Sequence, residues 1–306
     1  MILALTRRIF AGIVTLLLVY TATFVMVVSI PGNPFQSGDR NMPREAQQAL
    51  RARYHMDNNW TFYAEYLTGA IHLDFGPAFT YSDWTCNQII ASSLPVSMLL
   101  GLLAILIALL VGLPLGVLGA VHRDNPIDFL GLFIVILGIS IPTFVTGTAA
   151  LTLFCVYLKW FPVGGWGTLR HLPLPALTLS LPFIAYIARL TRGSMIDTLH
   201  SDFIRTARAK GLAERTVIWK HALRVAFLPV LSYLGPATAQ AMTGSFVVEK
   251  VFGVPGLGQH FVNAALNRDA GLILATVLVF SAALIALNLL VDLLYSVIDP
   301  RIRGAL

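Results

Sequence analysis

Charged residues are scarce in this sequence. Asp, Glu, Lys and Arg make up 12% of its 306 residues, against roughly 25% in ordinary soluble domains. Hydrophobic residues make up 57%, and the mean hydropathy is +0.76. This balance excludes an ordinary soluble domain and indicates several membrane spans of about 20 apolar residues each. The net charge of +6 therefore indicates basic residues on the cytoplasmic side before it indicates nucleic-acid binding.

Motifs for catalysis and cofactor binding are also lacking. The sequence contains no phosphate-binding loop of the form G-x-x-x-x-G-K-[ST], so we do not expect the chain to bind ATP. Its seven His residues are scattered, with neither H-E-x-x-H nor a metal-ligand spacing. We therefore expect no enzymatic activity, cofactor or metal in this chain. The two cysteines, Cys86 and Cys155, are far apart in sequence, and a disulfide between them is left open.

The long apolar segments have almost no ionisable side chains at their centres. Secondary transporters commonly place Asp, Glu or His there to couple protons or sodium. Asp292 is the nearest case, and its place near the inner end of the last segment favours a snorkelling or interhelical role over a proton relay. Uncharged polar residues within the segments are expected to hydrogen-bond neighbouring helices, although a few of them could line a route. These residues are Gln240, Thr243, Ser245, Ser281 and Asn288.

Six segments are predicted to span the membrane, which makes the chain an all-α integral membrane protein with six transmembrane helices. The first is too long for the core of a signal peptide and is read as a retained span. The fourth is short and contains Pro175 and Pro182. Gly112, Gly116 and Gly119 share one helical region of the second and predict close helix packing. The segments are roughly 9–30, 95–119, 129–157, 174–190, 227–248 and 272–298.

Basic residues set the predicted orientation. With residues 1–8 in the cytoplasm, thirteen of the 21 Lys and Arg residues lie inside, as the positive-inside rule requires. The 31–93 segment is then extracytoplasmic, and within it 45–56 reads as a short surface helix. The core, residues 94–298, carries the other five spans, and 299–306 return to the cytoplasm.

A basic stretch, residues 202–223, interrupts the apolar pattern between the fourth and fifth segments. Asp202 is expected to cap a first short helix, Gly211 to end it in a left-handed conformation, and Glu214 to open the next turn. Apolar side chains should share one side of the first helix; they are Phe203, Ile204 and Ala207. Two interpretations are open: an amphipathic helix on anionic lipid headgroups, or a docking surface for a cytoplasmic partner.

The stretch RTARAKG, residues 205–211, resembles the short cytoplasmic motif of permeases of ATP-binding-cassette (ABC) importers, written E-A-A, three residues, then G. Arg205 and Thr206 depart from that pattern, whereas Ala207 and Gly211 match it. The Leu-Pro that often follows the motif is missing. Other segments resemble the oligopeptide and dipeptide permeases, closest to the B-type subunit of oligopeptide permeases. They are DFGPAF (74–79), FGVPGLGQHFVNAALNRD (252–269) and VIDPRIR (297–303).

The resemblance implies the type I ABC-importer permease fold and a specific assembly in the bacterial inner membrane. In such importers this chain pairs with a second homologous permease subunit. Two cytoplasmic ATPases use ATP and Mg, and an extracytoplasmic binding protein delivers the peptide. A coupling helix between spans four and five contacts one ATPase. The matching positions here are Phe203, Ile204, Arg205, Thr206, Ala207, Arg208, Ala209, Lys210, Gly211 and Leu212.

The substrate is open at this point. Permeases of this branch also serve dipeptides, glutathione, nickel chelates and haem-type ligands, so oligopeptide import is the first expectation among several. A self-sufficient secondary carrier or channel is the alternative from another class. The basic segment and the uncharged centres of the spans favour the ABC permease. A non-transporting membrane anchor is a third and weaker reading.

Overall fold

The computed structural model describes residues 2–29, 58–81, 84–243 and 245–298. Within these residues the chain is helical and contains no β-strand, only an isolated bridge between Pro77 and Thr85. The predicted all-α class is therefore confirmed. Residues 31–57 and 82–83 of the predicted outer segment, including the surface helix at 45–56, lie outside the described residues, as does the C-terminal segment 299–306.

Thirteen α-helices follow one another along the described residues. Short π-helical stretches, Leu151–Tyr157 and Val217–Ala222, extend α5 and α8, and a 3-10 turn, Leu169–His171, precedes α6. The helices are α1 (Ile2–Ser29), α2 (Asn59–Ile71), α3 (Cys86–Val121), α4 (Pro126–Ser140), α5 (Thr143–Ala150), α6 (Pro173–Leu199), α7 (Asp202–Ala209), α8 (Glu214–Thr216), α9 (Leu223–Ala226), α10 (Leu228–Thr243), α11 (Phe246–Phe252), α12 (Leu257–Asn267) and α13 (Ala270–Ile298).

Several helices are long and apolar enough to cross a membrane. Four in the described part of the chain meet this condition alone, and a bent pair of helices makes a fifth if it counts as one span. This confirms a multi-pass membrane protein, and the count of six spans stays a prediction. The four are Thr6–Ser29, Cys86–Val121, Leu169–Leu199 and Ala270–Val291, and the bent pair is Glu214–Ala226 with Leu228–Thr243.

The third predicted span, 129–157, is not one continuous helix. Helix α4 ends at Ser140, Ile141 is extended with φ −86° and ψ 123°, and α5 begins only after Pro142. Proline disfavours the helical conformation of the residue before it and cannot donate a backbone hydrogen bond. The sequence therefore predicted the apolar region correctly but missed its division at Pro142.

The chain forms two compact units, each with its own packing. The first comprises the described parts of residues 1–97 and 255–286, and the second comprises 98–254 and 287–298. In the first unit, aromatic rings of α1 and α2 pack together, with 5.5 Å between the ring centroids of Phe24 and Phe62. The Tyr66 hydroxyl of α2 donates a 2.8 Å hydrogen bond to the carbonyl of Gly271 on α13.

A buried carboxylate also organises the first unit. Asp269 is fully buried just before α13. Its two oxygens accept hydrogen bonds from the amide of Thr80, at 2.7 Å, and from the amide of Leu272, at 3.0 Å. One side chain thus caps α13 and fixes the end of the 74–80 loop, which contains the DFGPAF motif. Burial raises the pKa of this carboxyl above its ordinary value.

Glycines allow close packing of α3 against α6 in the second unit. A Cβ on Gly112 would lie 2.9 Å from the carbonyl oxygen of Ile184, and one on Gly116 would lie 2.5 Å from the Cβ of Thr191. Neither distance is tolerated by real side chains without movement. A Cβ on Gly119 would meet Asp128 and Arg192 at 3.2 and 3.3 Å. The predicted packing role of the three glycines is confirmed.

Candidate functional site

The basic stretch forms an elbow, defined here as residues 202–216, in which a first short helix, α7, is followed by a turn and by α8. Gly211 has φ +75°, which is the left-handed conformation that the sequence predicted. The amide of Leu212 donates to the carbonyl of Ala207 at 3.4 Å, and the amide of Gly211 donates to the carbonyl of Arg208 at 2.9 Å. This pair of bonds is a Schellman motif, so the end of α7 is fixed by backbone geometry.

The start of α7 differs from the prediction. Ser201, and not Asp202, is the N-cap, and Asp202 is the first helical residue. The Ser201 hydroxyl donates a 2.6 Å bond back to the carbonyl of Thr198 instead of accepting from α7. Asp202 still suits its position, because a carboxylate in the first turn interacts favourably with the positive end of the helix dipole.

Two residues of α7 anchor the elbow to the rest of the second unit. Ile204 is fully buried and Ala207 is 8% exposed. Both belong to an apolar cluster that also contains residues of α3, α6 and the segment after α8. Phe203 was predicted on the same face, but it is 44% exposed, so that part of the prediction is wrong. The other buried members are Val117, Ala120, Met195, Val217, Ala222 and Ala226.

The remaining predicted coupling residues face outward. Within 203–212, only the two anchoring residues are buried, and the other side chains and Gly211 are exposed. The structure therefore brings the ten predicted positions together as a short helix, 203–209, and the turn that ends it, 210–212, with a buried back and an open front. The exposed residues are Phe203, Arg205, Thr206, Arg208, Ala209, Lys210, Gly211 and Leu212.

Part of the positive charge of the elbow is balanced within it. The Arg208 guanidinium forms two bonds to the Glu214 carboxylate, of 2.6 and 3.2 Å, which close the turn between α7 and α8. This pairing lowers the pKa of Glu214 below its ordinary value. Arg205 contacts Asp202 at 3.4 Å. Neither pairing was predicted from the sequence, although the spacing of the two arginines from Glu214 and Asp202 was an available signal.

A second ion pair joins α6, the helix that precedes the elbow, to α4. Arg192 binds Asp128 of α4 through two bonds of 2.6 Å each. The Asp128 side chain is 4% exposed and that of Arg192 is 24% exposed. The amide of Asp124 adds a 3.1 Å bond to the same carboxylate. This pair fixes the end of α6 to the start of α4, and sequence reasoning missed it because the partners are 64 residues apart.

Beyond the elbow, the chain enters α10 through distorted helix. The π-helical stretch Val217–Ala222 leads to α9, and the axis bends by 55° before α10 begins at Leu228. π-Helical turns and sharp kinks mark places where the regular hydrogen-bond ladder is interrupted. The elbow is thus followed by a bend, and not by a straight rod.

The other predicted polar positions have varied surroundings. Cys86 and Cys155 are both buried and free, so they do not form the disulfide. The Thr243 hydroxyl bonds within its own helix, to Ala239 at 2.7 Å. The Ser245 hydroxyl bonds the fully buried Glu249, a residue that sequence reasoning placed in a loop.

Asn288 and Asp292, two further polar positions of the predicted spans, do not form a ligand site among the described residues. The Asn288 side-chain oxygen is buried without a hydrogen-bond partner. The side chain of Asp292 lies outside the described residues. Among the residues that the structure describes, no group of three His, Cys, Asp or Glu side chains could hold a metal ion.

Comparison with known proteins places this architecture in a family. Residues 112–304 match the model of the binding-protein-dependent transport system inner membrane component. The chain is 46% identical over 300 residues to the oligopeptide transport system permease protein OppB of Salmonella typhimurium, covering 97% of this chain and 98% of the relative. The OppB protein of Escherichia coli K12 gives the same identity and coverage.

A dipeptide relative shows similar coverage. The dipeptide transport system permease protein DppB of Bacillus subtilis is 42% identical over 298 residues, covering 97% of this chain and 96% of the relative. The family model covers more than half of the chain, and these relatives cover nearly all of it. The chain therefore belongs to the family of inner membrane components of binding-protein-dependent transport systems.

Proposed function

We propose that this chain is a pathway-forming permease subunit of an ATP-driven importer of oligopeptides. The observation that carries the proposal is the 46% identity, over almost the full length of both chains, to two oligopeptide permease proteins. The family name implies delivery of substrate by a separate binding protein. Because the sequence lacks a phosphate-binding loop, hydrolysis of ATP falls to separate subunits.

The proposed assembly has three kinds of protein partner. A second, homologous permease subunit completes the pathway in the lipid bilayer. Two cytoplasmic ATPases supply energy with ATP and Mg, and an extracytoplasmic protein delivers the peptide. The chain itself binds no cofactor and no nucleic acid in this proposal.

The elbow is the proposed contact with one ATPase. Its support is geometric: residues 203–212 present an open front, and Ile204 and Ala207 anchor the back to helices α3 and α6. A displacement of α7 by a closing ATPase would reach the spans through this apolar cluster. The pairing of Arg208 with Glu214 stiffens the turn, so that α7 and α8 move together.

The proposed orientation places both termini in the cytoplasm, with residues 31–93 outside and six spans between. The support is the positive-inside distribution of Lys and Arg. The elbow then lies on the same side as the ATPases, and the 74–80 loop lies on the side of the binding protein.

Dipeptide import is the second candidate function, because a dipeptide permease is 42% identical over 97% of this chain. Reconstitution of the chain with its partners in liposomes would separate the two. We expect ATP-dependent uptake of peptides of four or more residues and weaker uptake of dipeptides. The chain alone should neither hydrolyse ATP nor take up peptide. Ion-driven uptake by the chain alone would contradict the proposal and favour a secondary carrier.

A further inference from the structure

Helices α6 and α10 have a different exposed surface from the other long helices. On α1 and α3 the exposed surface is aliphatic or aromatic, with Phe10 at 68%, Leu18 at 65% and Leu110 at 76% exposure. Such surfaces suit hydrocarbon. The large apolar side chains exposed on α6 and α10 are few and less exposed: Leu177 at 44%, Tyr186 at 36% and Leu228 at 37%.

Polar residues and prolines occupy the exposed faces instead. On α6 the exposed positions follow a spacing of three and four residues, which places them on one face: Tyr186, Arg189, Gly193 and Asp197. On α10 a second stripe follows the same spacing: Pro229, Ser232, Pro236 and Gln240. The rings of Tyr186 and Tyr233 join the two helices by stacking, with centroids 4.6 Å apart and planes 22° from parallel.

Arg189 is the unusual member of this surface. Its guanidinium lies 4.6 Å from the centroid of the Tyr186 ring. In the part of the chain that the structure describes, it has no carboxylate partner. Arg189 lies at the cytoplasmic end of the predicted span 174–190. Unpaired charges that reach into a span are costly in hydrocarbon and generally face a bundle interior or a water-filled cavity.

The Arg189 side chain is directed back along α6 and not toward the C-terminal end of the helix. Arg189 lies sixteen positions after Pro173, or about 24 Å along the helix. The guanidinium lies over Tyr186, three residues nearer the N-terminal end of α6, and therefore points toward the centre of the predicted span. The contact with Tyr186, whose ring stacks on Tyr233, places the guanidinium beside the exposed faces of both helices.

We propose that Arg189, held by the Tyr186–Tyr233 stack, is a carboxylate-binding site for the translocated peptide, and that the polar stripes of α6 and α10 line an aqueous pathway to it. The proposal rests on the proposed import function and adds a specific site to it. The peptide is the chosen occupant because its C-terminal carboxylate complements the unpaired guanidinium. The polar stripes supply hydrogen-bonding groups for its backbone, whereas lipid tails would gain nothing from them.

Uptake by the complete reconstituted importer tests the site. The probes are a neutral pentapeptide with a free C-terminal carboxylate, its C-terminal amide, and the same amide with one internal Glu. We expect Arg189→Gln to lower uptake of the free acid about tenfold, because the variant loses a charged hydrogen bond to the peptide carboxylate. In the same variant, uptake of the neutral amide, which has no carboxylate, should fall by less than about twofold. Arg189→Lys should retain part of the activity, and Arg123→Gln, at an exposed loop position, should behave as wild type.

The other results separate the hypotheses. If Arg189→Gln lowers uptake of the Glu-containing amide, the site accepts any peptide carboxylate. If uptake of that amide is unchanged, the site is specific for the carboxylate at the chain terminus. Equal losses for acid and amide, or no loss for either, would overturn the carboxylate site while leaving the import function intact. Failure of the wild-type complex to import any of the peptides would instead overturn the proposed function.

Labelling tests the pathway independently of transport. In a complex whose chain carries Cys86→Ala and Cys155→Ala, we expect a water-soluble maleimide to modify Gln240→Cys. The matched control, Leu110→Cys on the apolar face of α3, should remain unmodified in the bilayer. An unmodified Gln240→Cys would show that lipid or a second subunit covers the stripe, which would overturn the pathway assignment.

Discussion

At the scale of single residues, Gly211 has the strictest local requirement in the elbow. Its φ of +75° is in the left-handed region, and a built Cβ would meet nothing within 4 Å. The obstacle to substitution is therefore backbone strain and not lack of space. A substitution at Gly211 therefore tests the proposed coupling role without a steric clash.

Gly211→Val should insert in the membrane normally but lose transport and bind the ATPases weakly. The reason is the cost of a left-handed conformation for a residue with a side chain, roughly 1–2 kcal/mol, which would unwind the end of α7. Gly211→Asn should retain most of the binding, because Asn tolerates this region. Co-purification of the ATPases and peptide uptake are the measurements. Wild-type behaviour of Gly211→Val would mean that residues 203–212 are not the coupling element.

The Arg208–Glu214 bridge should matter less than the glycine. Both side chains are about half exposed, and exposed ion pairs contribute about 0–1 kcal/mol. We expect Arg208→Ala to weaken ATPase co-purification less than Gly211→Val does, and Arg123→Ala, outside the elbow, to have no effect. A loss for Arg208→Ala as large as that for Gly211→Val would show that the arginine itself contacts the partner.

The sequence predicted local features of the elbow better than its long-range contacts. The end of α7 at Gly211 and the start of α8 at Glu214 follow from neighbouring residues, and both are found. The burial of Ile204, the exposure of Phe203 and the pairing of Asp128 with Arg192 depend on helices far away in sequence. Amphipathic spacing alone does not determine which apolar residue meets another helix.

At the scale of helices, the contact between α3 and α6 depends on the absence of side chains. A Cβ on Gly116 would lie 2.5 Å from Thr191 and 2.6 Å from the carbonyl oxygen of Ala188. Small residues that permit close approach are the usual means of helix association in membranes. The elbow follows α6 directly, so this contact also positions the proposed coupling site.

Gly116→Val should separate α3 from α6 and lower the thermal stability of the purified protein in detergent. Overpacking a close contact costs typically about 1–3 kcal/mol. Gly131→Ala is the control on α4, because a Cβ there would meet nothing within 4 Å. Unfolding can be followed by the loss of helical circular dichroism on heating. An unchanged midpoint for Gly116→Val would contradict the close contact.

The ion pair between α4 and α6 should show strong coupling. Asp128→Asn leaves Arg192 without its carboxylate partner. Breaking a buried pair in this way lowers the free energy of unfolding by up to about 3–5 kcal/mol. The double variant Asp128→Asn with Arg192→Gln should be more stable than the sum of the single losses predicts. Thermal unfolding of the four proteins measures this coupling. Additive losses would show that the pair contributes nothing beyond its separate residues.

At the scale of the whole molecule, hydropathy identified the apolar regions but not their continuity. The division at Pro142 interrupts the third predicted span, 129–157, and the 55° bend before Leu228 lies at the start of the fifth, 227–248. Pro142 was visible in the sequence, but a proline in a span is compatible with either a kink or a full break of the helix. Packing against neighbouring helices decides between these outcomes, and sequence periodicity does not contain that information.

The predicted orientation can be checked by cysteine labelling in intact cells, in a chain without Cys86 and Cys155. Arg170→Cys, on an exposed loop position before α6, should react with a membrane-impermeant reagent. Ser201→Cys, at the start of the elbow, should react only after the membrane is permeabilised. The opposite pattern would invert the topology and remove the elbow from the side of the ATPases.

The single carboxylate of Asp269 has a consequence for amide hydrogen exchange. Because the amides of Thr80 and Leu272 share this one acceptor group, the loss of the side chain exposes both to solvent at once. Local openings of a protein expose such linked amides as cooperative units. In deuterium-exchange mass spectrometry, peptides covering 74–81 and 269–276 should therefore gain deuterium with a common rate, and Asp269→Ala should accelerate both together.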